Sequence, residues 1–190
     1  MQHLNKLWYL NINSFSGHAP LLDFMMLIFA TYTPYLFIFI LFYLWFGKSK
    51  DIALFAGYAA TLGVFVNLVI GLFYFHPRPF MENLGHVLLS HNSDSSFPSD
   101  HVSFTLSIAF MFLTFKTTKT LGIMASILGL LCGVARIYSG VHWPFDILGS
   151  IIVAIFSIFV IYKLKTPLLK LNRFIINTYY KIIKKEFFAE

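Results

Sequence analysis

Charged residues and cysteines are scarce in this chain of 190 residues. Asp, Glu, Lys and Arg make up only 12% of it, against 58% hydrophobic residues, which excludes a soluble globule of this size. The single cysteine, Cys132, lies in an apolar run, so a disulfide framework and a thiolate metal site are both excluded. Residues 1–20 lack the continuous apolar core of a cleaved signal peptide, and we expect the first spanning segment to direct insertion.

Apolar and aromatic residues are correspondingly abundant. The 23 Phe, 10 Tyr and 3 Trp are typical of a membrane protein, because rings with a polar edge settle at headgroup depth. A helix needs roughly 17 to 25 apolar residues to cross the hydrocarbon core. The segments that meet or approach this length are 21–46, 52–75, 101–115, 121–138 and 145–162. The sequence therefore predicts an all-α integral membrane helical bundle of about five to six transmembrane helices.

Basic residues are unevenly distributed among the connections between these segments. Lys and Arg in short loops mark the cytoplasmic side of a membrane. Eleven of the 14 lie on one side of the predicted bundle, at positions 48, 50, 116 and 119 and after residue 162. This topology places the carboxyl terminus in the cytoplasm and the amino terminus, all seven His, Arg78 and Arg136 on the outer side. It also accounts for the net charge of +6, so nothing indicates a nucleic-acid partner.

We expect residues 1–190 to form a single membrane-embedded domain. Residues 1–20 would be an outer amphipathic segment and residues 21–163 the transmembrane core. In residues 168–188, apolar side chains gather near one helical face and basic ones on the others, which predicts a cytoplasmic helix resting on anionic headgroups. A surface for a partner protein is the alternative for that helix.

The longest polar stretch connects the second and third predicted spans, between Arg78 and His101. Long connections in compact domains are usually lids or binding loops. His86 and His91 could be zinc ligands, but their spacing of five residues matches no common ligand pair, and contact with solvent or headgroups is the simpler interpretation. Contact with solvent or headgroups is also the simpler interpretation of His76, although its closeness to Arg78 means that it could support a phosphate-binding site around that arginine.

The first of three motifs is Arg78 between Pro77 and Pro79. The prolines stiffen the backbone and fix the direction of the guanidinium, whose planar set of donors suits phosphate oxygens. Taken alone, an arginine that extends to the membrane interface explains this residue better.

The second motif is Pro98-Ser99-Asp100-His101. Ser99 can be the N-cap of the third span, whose first amides lack internal partners and favour an anion. The hydroxyl and the amides after it could hold a phosphoryl group, and His101 could donate a proton to a leaving oxygen. A serine cap followed by an interfacial histidine is an equally good interpretation of these residues alone.

The third motif runs from Arg136 through His142 to Asp146, around the turn between the last two spans. Pro144 suits the first position of a helix, which places His142 just outside it and Asp146 in its first turn. The carboxylate can then hold one imidazole nitrogen and leave the other free as a nucleophile toward phosphorus. A structural His–Asp pair is the alternative, but ionisable residues at membrane depth tend to be functional.

Together these motifs resemble the three signatures of the type 2 phosphatidic-acid phosphatase superfamily, K-x6-R-P, P-S-G-H and S-R-x5-H-x3-D. Gly71, Asp100 and Ala135 stand where those signatures have Lys, Gly and Ser. With Asn67 and the runs 74–80 and 95–101, this set of variations is similar to the bacterial undecaprenyl-diphosphate phosphatases linked to bacitracin resistance.

The resemblance implies hydrolysis of the lipid undecaprenyl diphosphate at the outer face of the cell membrane, with no cofactor and no metal. This reaction recycles the lipid carrier of cell-wall synthesis. It implies His142 as the nucleophile, Asp146 as the residue that orients it and His101 as the proton donor. The implied phosphate-binding set consists of Arg78, Ser99, Asp100 and Arg136.

Two of the variations bear on the binding of phosphate. Because Gly71 stands in place of the family Lys, phosphate binding would depend on Arg78 and Arg136. Asp100 would repel a phosphate unless its side chain turns away or pairs with one of these arginines.

Two other functions also fit the sequence. A related enzyme could act on another lipid phosphate, such as phosphatidylglycerol phosphate, or transfer the phosphoryl group to an acceptor. A small transporter or channel could carry similar charged residues, but the motif residues lie on one side of the predicted bundle instead of at mid-membrane.

Overall fold

The computed structural model describes residues 2–187, with side chains described up to residue 183. The regular elements in this part of the chain are helical, which confirms the predicted all-α class. The helices are α1 (Gln2–Asn13), α2 (Pro20–Phe46), α3 (Lys50–Phe73), α4 (Asp100–Leu113), α5 (Lys119–Tyr138), α6 (Pro144–Lys163) and α7 (Lys165–Phe187), with short 3-10 turns at Pro79–Glu82 and Lys116–Thr118.

Four segments are long and apolar enough to cross a membrane, and they match four of the predicted spans. They are α2, α3, α6 and the segment Lys116–Tyr138, which contains α5. The chain is thus a membrane protein with several spanning helices. The second predicted span, 52–75, lies two residues too far along the chain, because α3 begins at Lys50 and ends at Phe73, and Tyr74 is already extended. Pro77 and Pro79 follow closely, and backbone before a proline avoids helical dihedrals.

The central helix α4 is the shortest of the five core helices, with 14 residues. At about 1.5 Å per residue it is shorter than the hydrocarbon core of a bilayer. It packs against α3, α5 and α6, so that protein surrounds much of it and its ends need not reach the lipid headgroups. Its fully buried apolar side chains include Val102, Leu106, Ile108 and Phe112.

Small residues let the neighbouring helices approach α4 closely. A Cβ added to Gly63 of α3 would lie 2.8 Å from Ser107 Oγ, and one added to Gly129 of α5 would lie 2.7 Å from Leu106 Cδ2. Small residues at such crossings are typical of membrane bundles, where dispersion contacts between backbones replace the hydrophobic effect. This packing fixes the start of α4 relative to the ends of α3 and α5.

The amino-terminal helix α1 is attached to the outer connector by side-chain hydrogen bonds. Asn13 Nδ2 donates to the carbonyl oxygens of His86 and Tyr138, at 2.8 Å in both cases. The His86 N–H donates back to Asn13 Oδ1 at 2.7 Å, and the Tyr9 hydroxyl donates to Leu84 O at 3.0 Å. The part of the connector around Leu84 and His86 is therefore held against α1.

The carboxyl-terminal helix α7 is attached to α3 by a buried asparagine. Asn172 Nδ2 donates to Asp51 Oδ1 at 2.8 Å, and the Tyr58 hydroxyl donates to Asn172 Oδ1 at 3.0 Å. Both terminal regions thus form helices, α1 and α7, while their position at the membrane surface stays a prediction. Residue 188, the last of the predicted tail helix, lies outside the described residues.

Candidate active site

The three motifs meet at one end of the bundle, because consecutive core helices run in opposite directions. Arg78 follows α3, Ser99 precedes α4, and Arg136 lies in the last turn of α5. His142 and Asp146 lie just before and just inside the start of α6. The sequence-predicted site residues, which are far apart in the chain, thus occupy neighbouring helix ends.

His142 is held on one side by the carboxylate of Asp146, which is fully buried. His142 Nδ1 lies 3.3 Å from Asp146 Oδ2, and the Trp143 N–H donates to the same oxygen at 2.8 Å. An ionised carboxylate only accepts hydrogen bonds, so this contact assigns the hydrogen of His142 to Nδ1. The other ring nitrogen, Nε2, then carries a lone pair.

Two arginines converge on that second nitrogen. Arg78 Nη1 lies 3.1 Å and Arg136 Nη2 lies 3.4 Å from His142 Nε2. Burial lowers the pKa of His142 to about 3, and the two guanidinium groups lower it as well, although Asp146 opposes them. The imidazole is therefore neutral near pH 7, with its unprotonated nitrogen beside two guanidinium groups of the kind that bind phosphate oxygens.

Arg78 is held in place by a residue that the sequence analysis did not assign to the site. Asp94 Oδ1 accepts from Arg78 Nε at 2.9 Å and lies 2.8 Å from Nη2. Arg78 Nη1 also donates to Val141 O at 2.8 Å, and Nη2 donates to Ser95 O at 3.2 Å. The only sequence signal for Asp94 was its place in the polar connector.

His91 and His86, the two histidines considered for zinc, lie in different surroundings. The His91 ring centroid is 6.3 Å from that of His142, and its Nδ1 is 3.6 Å from Asp94 Oδ1. Burial, followed by Arg78 and Arg136, lowers the pKa of His91. His86 Nδ1 instead lies 3.2 Å from Ser16 Oγ, at the end of the connector that contacts α1.

Two motif side chains have buried polar atoms with spare hydrogen-bonding capacity. Among the buried side-chain nitrogens and oxygens of the described residues, four have no hydrogen-bond partner: Ser99 Oγ, Arg136 Nε, Ser107 Oγ and Ser139 Oγ. Arg136 Nη1 donates to Ala30 O at 3.3 Å. Buried polar atoms usually have partners, so two unpartnered atoms on motif residues fit a site that receives an anion.

Ser99 occupies the predicted N-cap position of α4, but its hydroxyl does not cap the helix. The backbone of Ser99 is held instead by Ser150 of α6. The Ser99 N–H donates to Ser150 Oγ at 2.9 Å, and Ser150 Oγ donates to Ser99 O at 3.0 Å. Since the cap residue is fixed through its backbone, its hydroxyl remains free to donate to a ligand.

The Asp100 carboxylate pairs with neither Arg78 nor Arg136, the two arginines that the sequence offered as partners. This exposed carboxylate accepts from Asn67 Nδ2 of α3 at 2.8 Å, while Asn67 Oδ1 accepts from the Ser103 hydroxyl at 3.1 Å. The side chain thus turns toward α3, and only its backbone amide, at the start of α4, is available to an anion.

A cavity occupies the space beside Gly71, where the family signature has Lys. It measures about 310 Å³, and its lining includes Asn67, Gly71, Asp94 and Asp100. A Cβ added to Gly71 would meet nothing within 4 Å. The position is therefore open, and two carboxylates face the region that a lysine would enter.

His101 lies in the first turn of α4 and is half-buried. It lines a second cavity, of about 300 Å³, together with Tyr35 of α2, Val64 of α3 and Phe104. The site thus has a mostly apolar groove beside its predicted proton donor.

A membrane helical bundle with a buried histidine between a carboxylate and two arginines has the architecture of a membrane-embedded phosphatase. The chain belongs to the PAP2 superfamily, whose model matches residues 52–169. This confirms the family resemblance that the three motifs indicated.

Individual relatives cover most of the chain. Undecaprenyl-diphosphatase BcrC of Bacillus subtilis is 37% identical over 177 residues, which cover 92% of this chain and 91% of the relative. The bacitracin transport permease protein BcrC of Bacillus licheniformis is 30% identical over 112 residues, covering 58% of this chain and 54% of the relative. The crystal structure of Aquifex aeolicus LpxE has a TM-score of 0.73 at 25% identity, covering 84% of this chain and 95% of that one.

Proposed function

We propose that this protein hydrolyses undecaprenyl diphosphate to undecaprenyl phosphate and inorganic phosphate through a phosphohistidine at His142. The observation that carries the proposal is the environment of the His142 ring, with Asp146 at Nδ1 and two guanidinium groups at Nε2. The choice of substrate is supported by a relative named undecaprenyl-diphosphatase, which is 37% identical over 92% of this chain.

In the first step, His142 Nε2 attacks the terminal phosphorus of the diphosphate. The bond between that phosphorus and the bridging oxygen breaks, and His101 donates a proton to the leaving undecaprenyl phosphate. Asp146 stabilises the positive charge that the ring acquires. Arg78, Arg136 and the Ser99 hydroxyl distribute the negative charge of the transferring phosphoryl group, which is the main catalytic task in such a reaction.

In the second step, water attacks the phosphorus of the phosphohistidine. His101, which has lost its proton, takes one from the water, and the bond between phosphorus and Nε2 breaks. Inorganic phosphate leaves, and His142 returns to its neutral form. The donors around Nε2 serve both steps, so we expect no requirement for a metal.

The groove beside His101 supports a lipid substrate. Its lining residues come from α2, α3 and α4, and most of them are apolar. A polyprenyl chain held there would be continuous with membrane lipid, while its diphosphate reached the start of α4.

We place the site at the outer face of the cell membrane and α7 at the cytoplasmic face. The support is the distribution of Lys and Arg, which are concentrated in the loops and the tail at the end of the bundle opposite His142. A site on the outer face would recycle the carrier lipid of the cell wall and give resistance to bacitracin.

A transport function has one observation in its favour, the name of the Bacillus licheniformis relative. Against it, the motif side chains gather at one end of the bundle, whereas a transport path needs polar groups at mid-membrane. Flux across liposomes without release of phosphate would favour transport.

The decisive experiment compares the purified protein with its His142→Ala variant on undecaprenyl diphosphate and on phosphatidylglycerol phosphate. We expect phosphate release from the polyprenyl substrate, none from the variant, and full activity with excess chelator. A faster reaction with the glycerolipid would assign the enzyme to another lipid phosphate. Complete loss of activity with chelator would contradict the proposed mechanism.

A further inference from the structure

The second carboxylate oxygen of Asp146 contacts a histidine outside the three motifs. His76 Nδ1 lies 3.3 Å from Asp146 Oδ1, while Oδ2 faces His142 and Trp143. His76 belongs to the extended segment after α3. Asp146 thus lies between two imidazole rings, one on each of its oxygens.

The chemistry of the contact assigns its direction. An ionised carboxylate is only an acceptor, so the hydrogen must lie on His76 Nδ1. The same nitrogen lies 2.9 Å from Ser96 Oγ, which can accept as well. His76 is therefore a donor toward Asp146, just as His142 is.

The ring of His76 is fixed in place by its surroundings. The His76 N–H donates to Ser95 Oγ at 3.1 Å, and the Ser96 N–H donates to His76 O at 2.8 Å. The rings of Tyr74 and His76 are nearly parallel, with centroids 6.0 Å apart and an interplanar angle of 14°. The Trp143 ring lies 6.1 Å away on another side. Because the His76 ring is fixed, its hydrogen bond can fix the orientation of the Asp146 carboxylate.

His76 approaches Asp146 from a side that the phosphate-binding arginines do not occupy. It lines a cavity of about 240 Å³ with Lys6, Glu82 and Trp143, and its side chain is 19% exposed. The contacts of Arg78 and Arg136 with His142 are instead at Nε2. A change at His76 should therefore affect the carboxylate without removing a donor to phosphate.

We propose that His76 is a positioning residue, which orients the Asp146 carboxylate and thereby the nucleophile His142. Resting on the proposed function, this predicts that His76 supports the rate of phosphoryl transfer and not the binding of substrate. Without its N–H, Asp146 Oδ1 would be a buried acceptor with no donor, and the carboxylate would be free to rotate away from His142.

The test compares two substitutions of nearly equal shape, His76→Asn and His76→Leu, in the purified full-length protein. Asn can present an N–H close to the position of Nδ1, whereas Leu cannot. We expect His76→Asn to keep kcat within about threefold, and His76→Leu to lose about ten- to a hundredfold in kcat with KM nearly unchanged. His18→Leu, at an exposed histidine in the loop before α2, is the matched control.

Three results would overturn the proposal. They are an unimpaired His76→Leu, an equal loss in both variants, and a loss confined to KM. If His76→Leu does not yield folded protein, His76→Phe replaces it, since Phe keeps the ring and lacks the donor.

A spectroscopic measurement separates this proposal from the proposed function. The hydrogen-bonded Nδ1–H proton of His142, assigned by its loss in His142→Gln, should keep its low-field NMR position in His76→Asn and shift in His76→Leu. This readout needs no substrate. Failure to hydrolyse undecaprenyl diphosphate would therefore overturn the proposed function alone, and an unshifted signal in His76→Leu would overturn the role of His76.

Discussion

The two sides of the His142 ring are built differently. On the Nδ1 side, the Asp146 carboxylate receives donors from His142, Trp143 and His76, so its oxygens are well satisfied. On the Nε2 side lie two guanidinium groups, and Arg136 Nε has no hydrogen-bond partner among the described residues. In the proposed mechanism one side fixes the ring and the other binds phosphate, and each can be altered separately.

Removal of the ring itself should have the largest effect. We expect His142→Gln to lower the rate of phosphate release by about ten-thousandfold or more, since both steps pass through Nε2. The measurement is single-turnover hydrolysis together with trapping of phosphohistidine at high pH. A phosphohistidine that persisted in the variant would move the nucleophile to another residue.

On the fixed side of the ring, Asp146→Asn should lower kcat by about a thousandfold. The amide cannot stabilise the charge that the ring acquires, and its NH₂ group would meet the N–H of either His142 or His76. KM should change little, because the donors to phosphate remain. The variant should still bind orthovanadate, and loss of that binding would show that Asp146 is needed for the pocket itself.

On the anion-binding side, Ser99→Ala should separate activity from stability. Its hydroxyl has no partner among the described residues, so the free energy of unfolding should not fall, while the rate falls by about a hundredfold. Ser150→Ala is the contrasting variant, since it removes the hydrogen bonds of that hydroxyl with the backbone of Ser99 and Asp146 and should cost about 1 to 2 kcal/mol of stability. Equal destabilisation by both substitutions would contradict the assignment of Ser99.

The pH dependence of stability tests the environment of the whole ring. Burial lowers the pKa of His142 to about 3, whereas an unfolded histidine titrates near 6.5. Below about pH 6.5 the unfolded state therefore takes up a proton that the folded state does not, and stability falls as the pH drops toward 3. Between pH 7.5 and pH 5, wild type should lose about 2 kcal/mol more than His142→Gln in denaturant titrations. Equal losses would indicate that His142 is not protected from protonation.

The smallest effect is expected at the edge of the site. Gly71→Lys restores the family lysine in an open space lined by Asp94 and Asp100. We expect a folded protein whose KM changes by no more than about threefold, because the new ammonium would pair with these carboxylates before it reached phosphate. Gly71→Gln is the control without charge. A tenfold fall in KM with Lys alone would show that the ammonium reaches the substrate.

Much of this arrangement was predictable from the sequence. The length of the apolar segments predicted the membrane-spanning helices. The prolines at 77 and 79 marked the end of α3, and the proline at 144 marked the start of α6. Arg78, Arg136, His142 and Asp146 were predicted to lie at helix ends on one side of the bundle, where the structure brings them together. Their catalytic roles remain predictions.

Other features depended on contacts between distant segments. Asp94 was only one polar residue in a long connector until the fold placed it beside Arg78. The partner of Asp100 is Asn67, 33 residues earlier in the chain, and not an arginine. His76 was noted only for its closeness to Arg78, and its contact with Asp146 could not be predicted because it joins residues 70 positions apart.

Local chemistry therefore determined the class of the protein and the residue types of its site. Chain length, hydropathy and short-range spacing are sufficient for this, because the bilayer dictates helices and each motif lies within one turn or one helix end. The tertiary structure alone decided which donors are free and which are occupied. Ser99 is the clearest case, since Ser150, on another helix, holds its backbone while its hydroxyl has no partner among the described residues.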